Sequence, residues 1–139
     1  MTAIDLSKIY GAEELRKSVY GLGRRPFHRW REHGALGPDM QYLGSGGWKI
    51  PYTEEHRAVY RLLQSISECV RLIGGACTGV AMEHVADIGQ FVRDNISTFV
   101  AADGQPLSCA IYVAIGVSRI ECFTYRPPFG SYLSVEVYW

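Results

Sequence analysis

The sequence carries no surplus of charge, because 14 Lys and Arg are offset by 14 Asp and Glu. That balance argues against a protein that coats nucleic acid through its overall field. No run reaches the roughly 18 to 20 uncharged apolar residues of a membrane helix, so no membrane partner is expected. The opening Met1-Thr2-Ala3-Ile4-Asp5 lacks the basic and then apolar character of a secretory signal, and a cytoplasmic location is the expectation. Cysteine is sparse and scattered: Cys69, Cys77, Cys109 and Cys122 form no CxxC pair, which argues against a disulfide framework and leaves the thiols read as reduced. Phosphate loops, paired-carboxylate signatures and nucleotide fingerprints are missing too. Neither an enzyme nor a cofactor is expected, and no internal repeat or low-complexity segment is present.

What is there is the composition of a soluble folded chain: 139 residues, 47% hydrophobic, 12% aromatic and 20% charged. That length suits one globular domain, or a small module carrying a second. The zero net charge conceals an asymmetry. Between Arg16 and Lys49 seven basic residues stand against two acidic ones, whereas from Leu62 onward four basic residues face seven acidic. The chain reads as a basic head on an acidic body.

Hydrophobic periodicity divides the chain further. A short helix is expected from Gly11 to Tyr20, with Leu15 and Val19 on one face, and Gly21 to Gly23 then break it. A second helix of two to three turns is expected to begin at Pro26, tolerated at a first helical position, and to end at Gly34 as a C-terminal cap. Phe27 and Trp30 share its inner side, while His28, Arg29 and Glu32 lie near the opposite side. Between Met40 and Pro51, two potential strands about the turn Gly44 to Gly47 suggest a small hairpin, or wing. Thr53, followed by Glu54 and Glu55, opens a long helix over 53–73 with the stripe Val59, Leu62, Leu63, Ile66, Val70 and Ile73. A second long helix is expected over 80–101, from the recurrence of Val85, Ile88, Val92, Ile96 and Phe99. After Asp103-Gly104 the period changes to two through Leu107, Cys109, Ile111, Val113 and Ile115. With strands at 119–125 and 132–138, separated by Pro127-Pro128-Phe129-Gly130, the tail is expected to be a three-stranded antiparallel meander.

The order of these elements, and the residues Gly21-Leu22-Gly23-Arg24-Arg25-Pro26-Phe27-His28-Arg29-Trp30-Arg31-Glu32-His33-Gly34-Ala35-Leu36-Gly37-Pro38 followed by Gly47-Trp48-Lys49-Ile50-Pro51-Tyr52-Thr53-Glu54-Glu55, carry a family likeness. This segment resembles the winged-helix head of the MerR family of transcription regulators, over about Ala12 to Ile66. His28, Arg29 and Trp30 stand where that family commonly has an arginine and two aromatics, and Pro51 is an extra residue between wing and tyrosine. The resemblance implies a winged helix-turn-helix head over 1–60; with the two long helices and the sheet read from periodicity, 61–139 is expected to be a dimerisation or sensing region and the whole chain α+β.

A short helix lying in the major groove brings its first turn close to bases and phosphates. Arg24, Arg25, His28 and Arg29 occupy that turn, where arginine can grip phosphate or guanine bidentately. Lys49 on the wing would meet flanking backbone as a point charge, with Arg16 and Lys17 adding phosphate contacts from the first helix. Arg31 and Tyr52 complete the expected DNA-binding set. The plain alternative for any one arginine is a solvated helix face. Phe27, Trp30 and Leu36 read as core, while Trp48 and Tyr42 either brace the fold or touch the sugar-phosphate backbone. Cys69, Cys77, His84, Cys109 and Cys122 lack the spacing of a metal site, so no metal is expected. The function expected is sequence-specific binding of double-stranded DNA by a homodimer. The alternative is a non-catalytic interaction or sensing module that does not bind DNA, with a small-molecule or protein effector held by the aromatic-rich sheet (Tyr112, Phe123, Tyr125, Tyr132, Tyr138, Trp139).

Overall fold

Helices form where apolar residues recur every three or four positions and strands where they alternate, as the two periodicities demand. The computed structural model describes residues 3–41, 51–74, 82–116, 119–128 and 130–139. In chain order these form β1 (Ile9–Tyr10), α1 (Ala12–Ser18), α2 (Arg24–Glu32), α3 (Pro38–Gln41), β2 (Tyr52–Thr53) and α4 (Glu54–Gly74). There follow a 3₁₀ turn (Met82–His84), α5 (Val85–Asp94), α6 (Ile96–Phe99), β3 (Cys109–Ile115), β4 (Ile120–Phe123) and β5 (Leu133–Val137). The chain is thus α+β, with a three-stranded antiparallel sheet at its C-terminal end. No helix among the described residues is long and apolar enough to cross a membrane.

The long helix α4 is the spine. Val59, Leu62, Leu63 and Ile66 of its stripe are fully buried, and Val70 packs against the same core. Ile73 lies outside the described side chains. On one side α4 meets α2 through Tyr60, and on others it meets α5 and β5. The buried residues of both halves form one hydrophobic cluster, from Tyr10 and Phe27 through to Val135 and Val137. Two buried polar knots hold its margins. Glu54, 1% exposed, accepts from Tyr10 Oη at 2.5 Å and from Arg57 Nη1 at 2.8 Å, while Arg57 Nε donates to Ser18 Oγ at 2.9 Å. Arg61, 2% exposed, donates through Nη2 to the Phe99 carbonyl at 2.9 Å and through Nη1 to that of Leu107 at 3.0 Å. A buried charge is tolerable only when its partners are supplied in this way.

Several expectations are corrected. The second long helix does not run unbroken from 80 to 101: it starts at Val85 and is interrupted at Asn95, whose φ of −125° and ψ of 35° leave the helical region. The Asn95 side chain donates back to the Phe91 carbonyl at 2.9 Å, sharing that oxygen with its own amide at 3.1 Å, a local side-chain cap on the last turn of α5. Nor is the sheet a meander. Its order is β4-β3-β5, with Tyr112 opposite both Phe123 and Ser134, so β5 crosses to the far edge of β3. There Val135 and Val137 are buried beside α4, while β4 lies against α5; burial of both valines outweighs the default of pairing with the preceding strand. The α2 helix starts at Arg24, which puts Pro26 at the third helical position, still within the turn whose N–H groups have no intrahelical acceptor. The expected wing falls on residues 42–50, outside those described. Met40 and Gln41, placed at its start, belong to α3 instead. A pairing that the periodicity did not signal joins β1 to β2, with Tyr10 opposite Tyr52.

Candidate nucleic-acid interface

The basic helix α2 is built by its neighbours. Gly21 turns the chain with φ of +79°, and Gly23 enters in extended conformation, its carbonyl accepting from the Phe27 amide at 3.2 Å. The exit is a Schellman motif: the Gly34 amide donates to Arg31 O at 3.1 Å, and the Ala35 amide to Trp30 O at 3.0 Å. Gly34, with φ of +88°, supplies the left-handed residue that this cap needs. The inner face is aromatic. Phe27 stacks on Tyr60 with centroids 4.7 Å apart, Trp30 lies 6.3 Å from the same ring, and Tyr60 Oη donates to the Phe27 carbonyl at 3.0 Å. From behind, α5 comes so close that a Cβ on Gly89 would lie 1.9 Å from the Ala35 carbonyl oxygen. That oxygen also accepts from Arg93 Nη1 at 2.9 Å.

With the inner face fixed, the outer face is left to charge. Arg25, His28, Arg29 and Glu32 are exposed at i, i+3, i+4 and i+7, a single stripe along the helix, and Arg24 is exposed beside it. Lys17 on α1 is exposed as well. Of the residues expected to contact DNA, Lys17, Arg24, Arg25, His28 and Arg29 are the exposed ones among the described residues.

The others lie differently. Arg16 turns inward: it donates to Glu13 through Nε at 3.2 Å and Nη2 at 2.9 Å, and through Nη1 to the Leu22 carbonyl at 3.1 Å. It pins α1 to the turn before α2. These bonds hold the Glu13 carboxyl down to about 2, chiefly through the Arg16 hydrogen bond. Arg24 Nε stands 3.5 Å from the same carboxylate, a fully solvated arrangement that restrains the arginine weakly. Arg31 Nη1 donates to Tyr52 Oη at 2.9 Å, and Tyr52 is fully buried. Arg31 and Tyr52 therefore brace α2 on β2. Lys49 lies outside the described residues. Glu13 and Tyr60, which the sequence reading did not single out, emerge as the residues that set the charge and the seat of α2. The spacing of Glu13 to Arg16, three apart on α1, was the available signal for the first.

Phe27, Trp30 and Leu36 are core residues, as expected. Among the described residues no group of three His, Cys, Asp or Glu side chains could hold a metal ion. Cys69, Cys109 and Cys122 are free and half-buried; burial pushes the Cys122 thiol up to about 12, and raises those of Cys69 and Cys109 too. Such thiols stay protonated at neutral pH and make poor nucleophiles. Compared with known proteins, the chain matches no family model, no curated protein and no solved structure.

Proposed function

We propose that the protein is a sequence-specific DNA-binding regulator that lays the outer face of α2 in the major groove of double-stranded DNA. The observation that carries this reading is the exposed stripe of Arg25, His28 and Arg29 on a helix whose opposite face is locked by stacked aromatics. A rigid helix with cations free on one side matches the docking of a recognition helix, whose first turns approach base edges while nearby cations meet phosphates. Arg24 and Lys17 are further exposed cations of the same head. Arg16 and Arg31 act as supports, and Lys49 would serve the flanking backbone from the wing. The likeness of residues 12–66 to a MerR-like winged-helix head supports the same assignment. Two heads in a homodimer would multiply a modest single-site affinity, and the protein would act in the cytoplasm, at the nucleoid.

The test is a gel shift on fragments selected from random or genomic DNA. Replacing Arg24, Arg25 and Arg29 together with alanine is expected to abolish the shift, and the circular dichroism spectrum is expected to stay as it was because all three are solvent-facing. Unchanged affinity rejects the assignment.

A second reading, a protein-interaction module, draws on the sheet. Tyr112 and Tyr132 meet edge to face at 5.6 Å, as do Phe123 and Tyr125, on the face turned away from Val113 and Val135. Indifference to both DNA and heparin at low salt would favour it.

A further inference from the structure

The direction in which β5 turns its backbone groups follows from the end of β3. The Gly116 amide donates to the Arg119 carbonyl at 2.8 Å, so these two residues form a bonded pair next to the opposed Ile115 and Ile120. Bonded and non-bonded pairs alternate along an antiparallel ladder, and each residue turns its N–H and C=O to the same side. Tyr112 and Ala114 therefore address β4, while Cys109, Ile111 and Val113 address β5, where they meet Val137, Val135 and Leu133. Ser134 and Glu136 are left with amides and carbonyls that point away from β3. Because β5 is an edge of the sheet, these four groups have no backbone partner among the described residues. Natural edges are commonly blunted by proline or lysine; Leu133-Ser134-Val135-Glu136-Val137 contains neither, and Ser134 and Glu136 are exposed.

A cleft of about 390 Å³ opens beside this edge, lined by Ser134 and Glu136 of β5 and by Gln64, Ser65 and Cys69 of α4. Its origin is a mismatch between layers. α4 packs against β5, α5 against β4, and the two helices against each other. Helices about 10 Å apart thus underlie three strands about 4.8 Å apart, and the helical layer is wider than the sheet by about one strand. A second copy of this chain does not suit that gap: pairing β5 with β5 would set two α4 helices under strands about 5 Å apart, where packed helices need about 8 to 10 Å. A bare extended segment brings no helix with it. Its charge is set by Glu136, because Arg61, the basic residue of the lining, is 2% exposed and committed to the carbonyls of Phe99 and Leu107. Opposite charges facing each other across two strands attract, and like charges repel. We propose that the β5 edge takes up an extended basic peptide as a fourth strand over α4, its backbone bonded to Ser134 and Glu136 and a Lys or Arg set opposite Glu136. No residue of α2 lines the cleft and the test contains no DNA, so this proposal and the DNA-binding one are independent.

The full chain is panned at low salt against a displayed library of random short peptides, and enriched peptides are synthesised and titrated by fluorescence anisotropy. They are expected to carry Lys or Arg. Methylating the backbone nitrogens of one alternate set of peptide residues is expected to weaken binding at least tenfold, and methylating the other set to leave it unchanged. Ser134→Pro removes an outward amide without touching the bonds to β3, so it is expected to abolish binding with the circular dichroism spectrum unaltered. Glu136→Lys is expected to weaken the same peptides at least threefold and to move the enrichment towards Asp and Glu. No enriched peptide, equal sensitivity of the two methylated sets, or variants that bind like the parent protein would each overturn the proposal. So would loss of fold in Ser134→Pro, which contradicts the direction derived for the β5 amides, and a dimer in sedimentation that this variant dissolves, which would assign the edge to a second copy.

Discussion

A single hydrogen atom in place of a methyl decides how α2 is seated. The absence of a side chain at Gly89 lets α5 come against the Ala35 carbonyl, so Gly89→Ala must push the two apart. A destabilisation of about 2 kcal/mol is expected, read as a lowered thermal midpoint, and under the proposed function DNA binding would weaken as well because the turn after α2 moves with it. His56 is a second residue with outsized consequences. Its Nδ1 accepts the Thr53 amide at 3.0 Å at the start of α4, which requires a neutral ring, and burial followed by the positive charge of Arg93 holds its pKa down to about 4 from 6.5. Between those two values the unfolded chain binds a proton that the folded chain refuses. The contribution is therefore complete above pH 6.5 and is lost as the pH falls towards 4. Urea midpoints measured from pH 7.5 to 4 should decline over that window in the parent protein, and decline less in His56→Gln; identical slopes would contradict the assignment.

At the scale of the element, α2 is a helix of 9 residues, too short to persist alone. Its caps and its aromatic seat supply what its length does not. Gly34→Ala places a Cβ at φ of +88° and should cost about 1 kcal/mol through the strained left-handed cap, measurable by chemical denaturation. The division of labour among the cations has a thermodynamic signature as well. Lys17, Arg24, Arg25 and Arg29 face solvent while Arg16 and Arg31 are engaged internally. Each phosphate contact contributes about −0.9 to the slope of log affinity against log salt. Replacing one of the solvent-facing four with alanine should flatten that slope by about one contact or leave it unchanged where the arginine reads a base. Arg31→Ala should instead lower stability by about 1 to 2 kcal/mol, since it leaves Tyr52 Oη without its donor. A salt slope that responds to Arg31 and ignores all four exposed cations would reverse these roles.

The whole molecule is organised by α4, which passes from the basic head into the acidic body without a break. Arg61 shows what that continuity requires, because it ties the spine to the carbonyls of Phe99 and Leu107 at once. Arg61→Ala removes a donor from each carbonyl, that of Phe99 keeping only the Leu107 amide at 2.8 Å, and leaves a void, and a loss of about 3 kcal/mol is expected. Because the head and the sheet share one core, unfolding followed by tyrosine fluorescence and by far-ultraviolet dichroism should trace one transition, with the variant shifting both together. Separate midpoints for the two signals would show that the halves unfold independently.

Periodicity alone determined most of the elements, since an apolar residue every third or fourth position has one burial solution and strict alternation has another. It placed Phe27 and Trp30 inward, the α4 stripe in the core, Gly34 at the cap and the three C-terminal strands, and it marked residues 24–29 as the cationic segment. Only the tertiary structure decided which charges remain available. Arg16 and Arg25 are the same residue type in neighbouring helices, yet one is bonded to Glu13 and the Leu22 carbonyl while the other faces water. Strand order, the pairing of β1 with β2 and the cleft beside Trp139 were likewise settled by contacts between residues far apart in the chain. A one-dimensional pattern records which face of an element avoids water; what that face meets depends on how the elements pack.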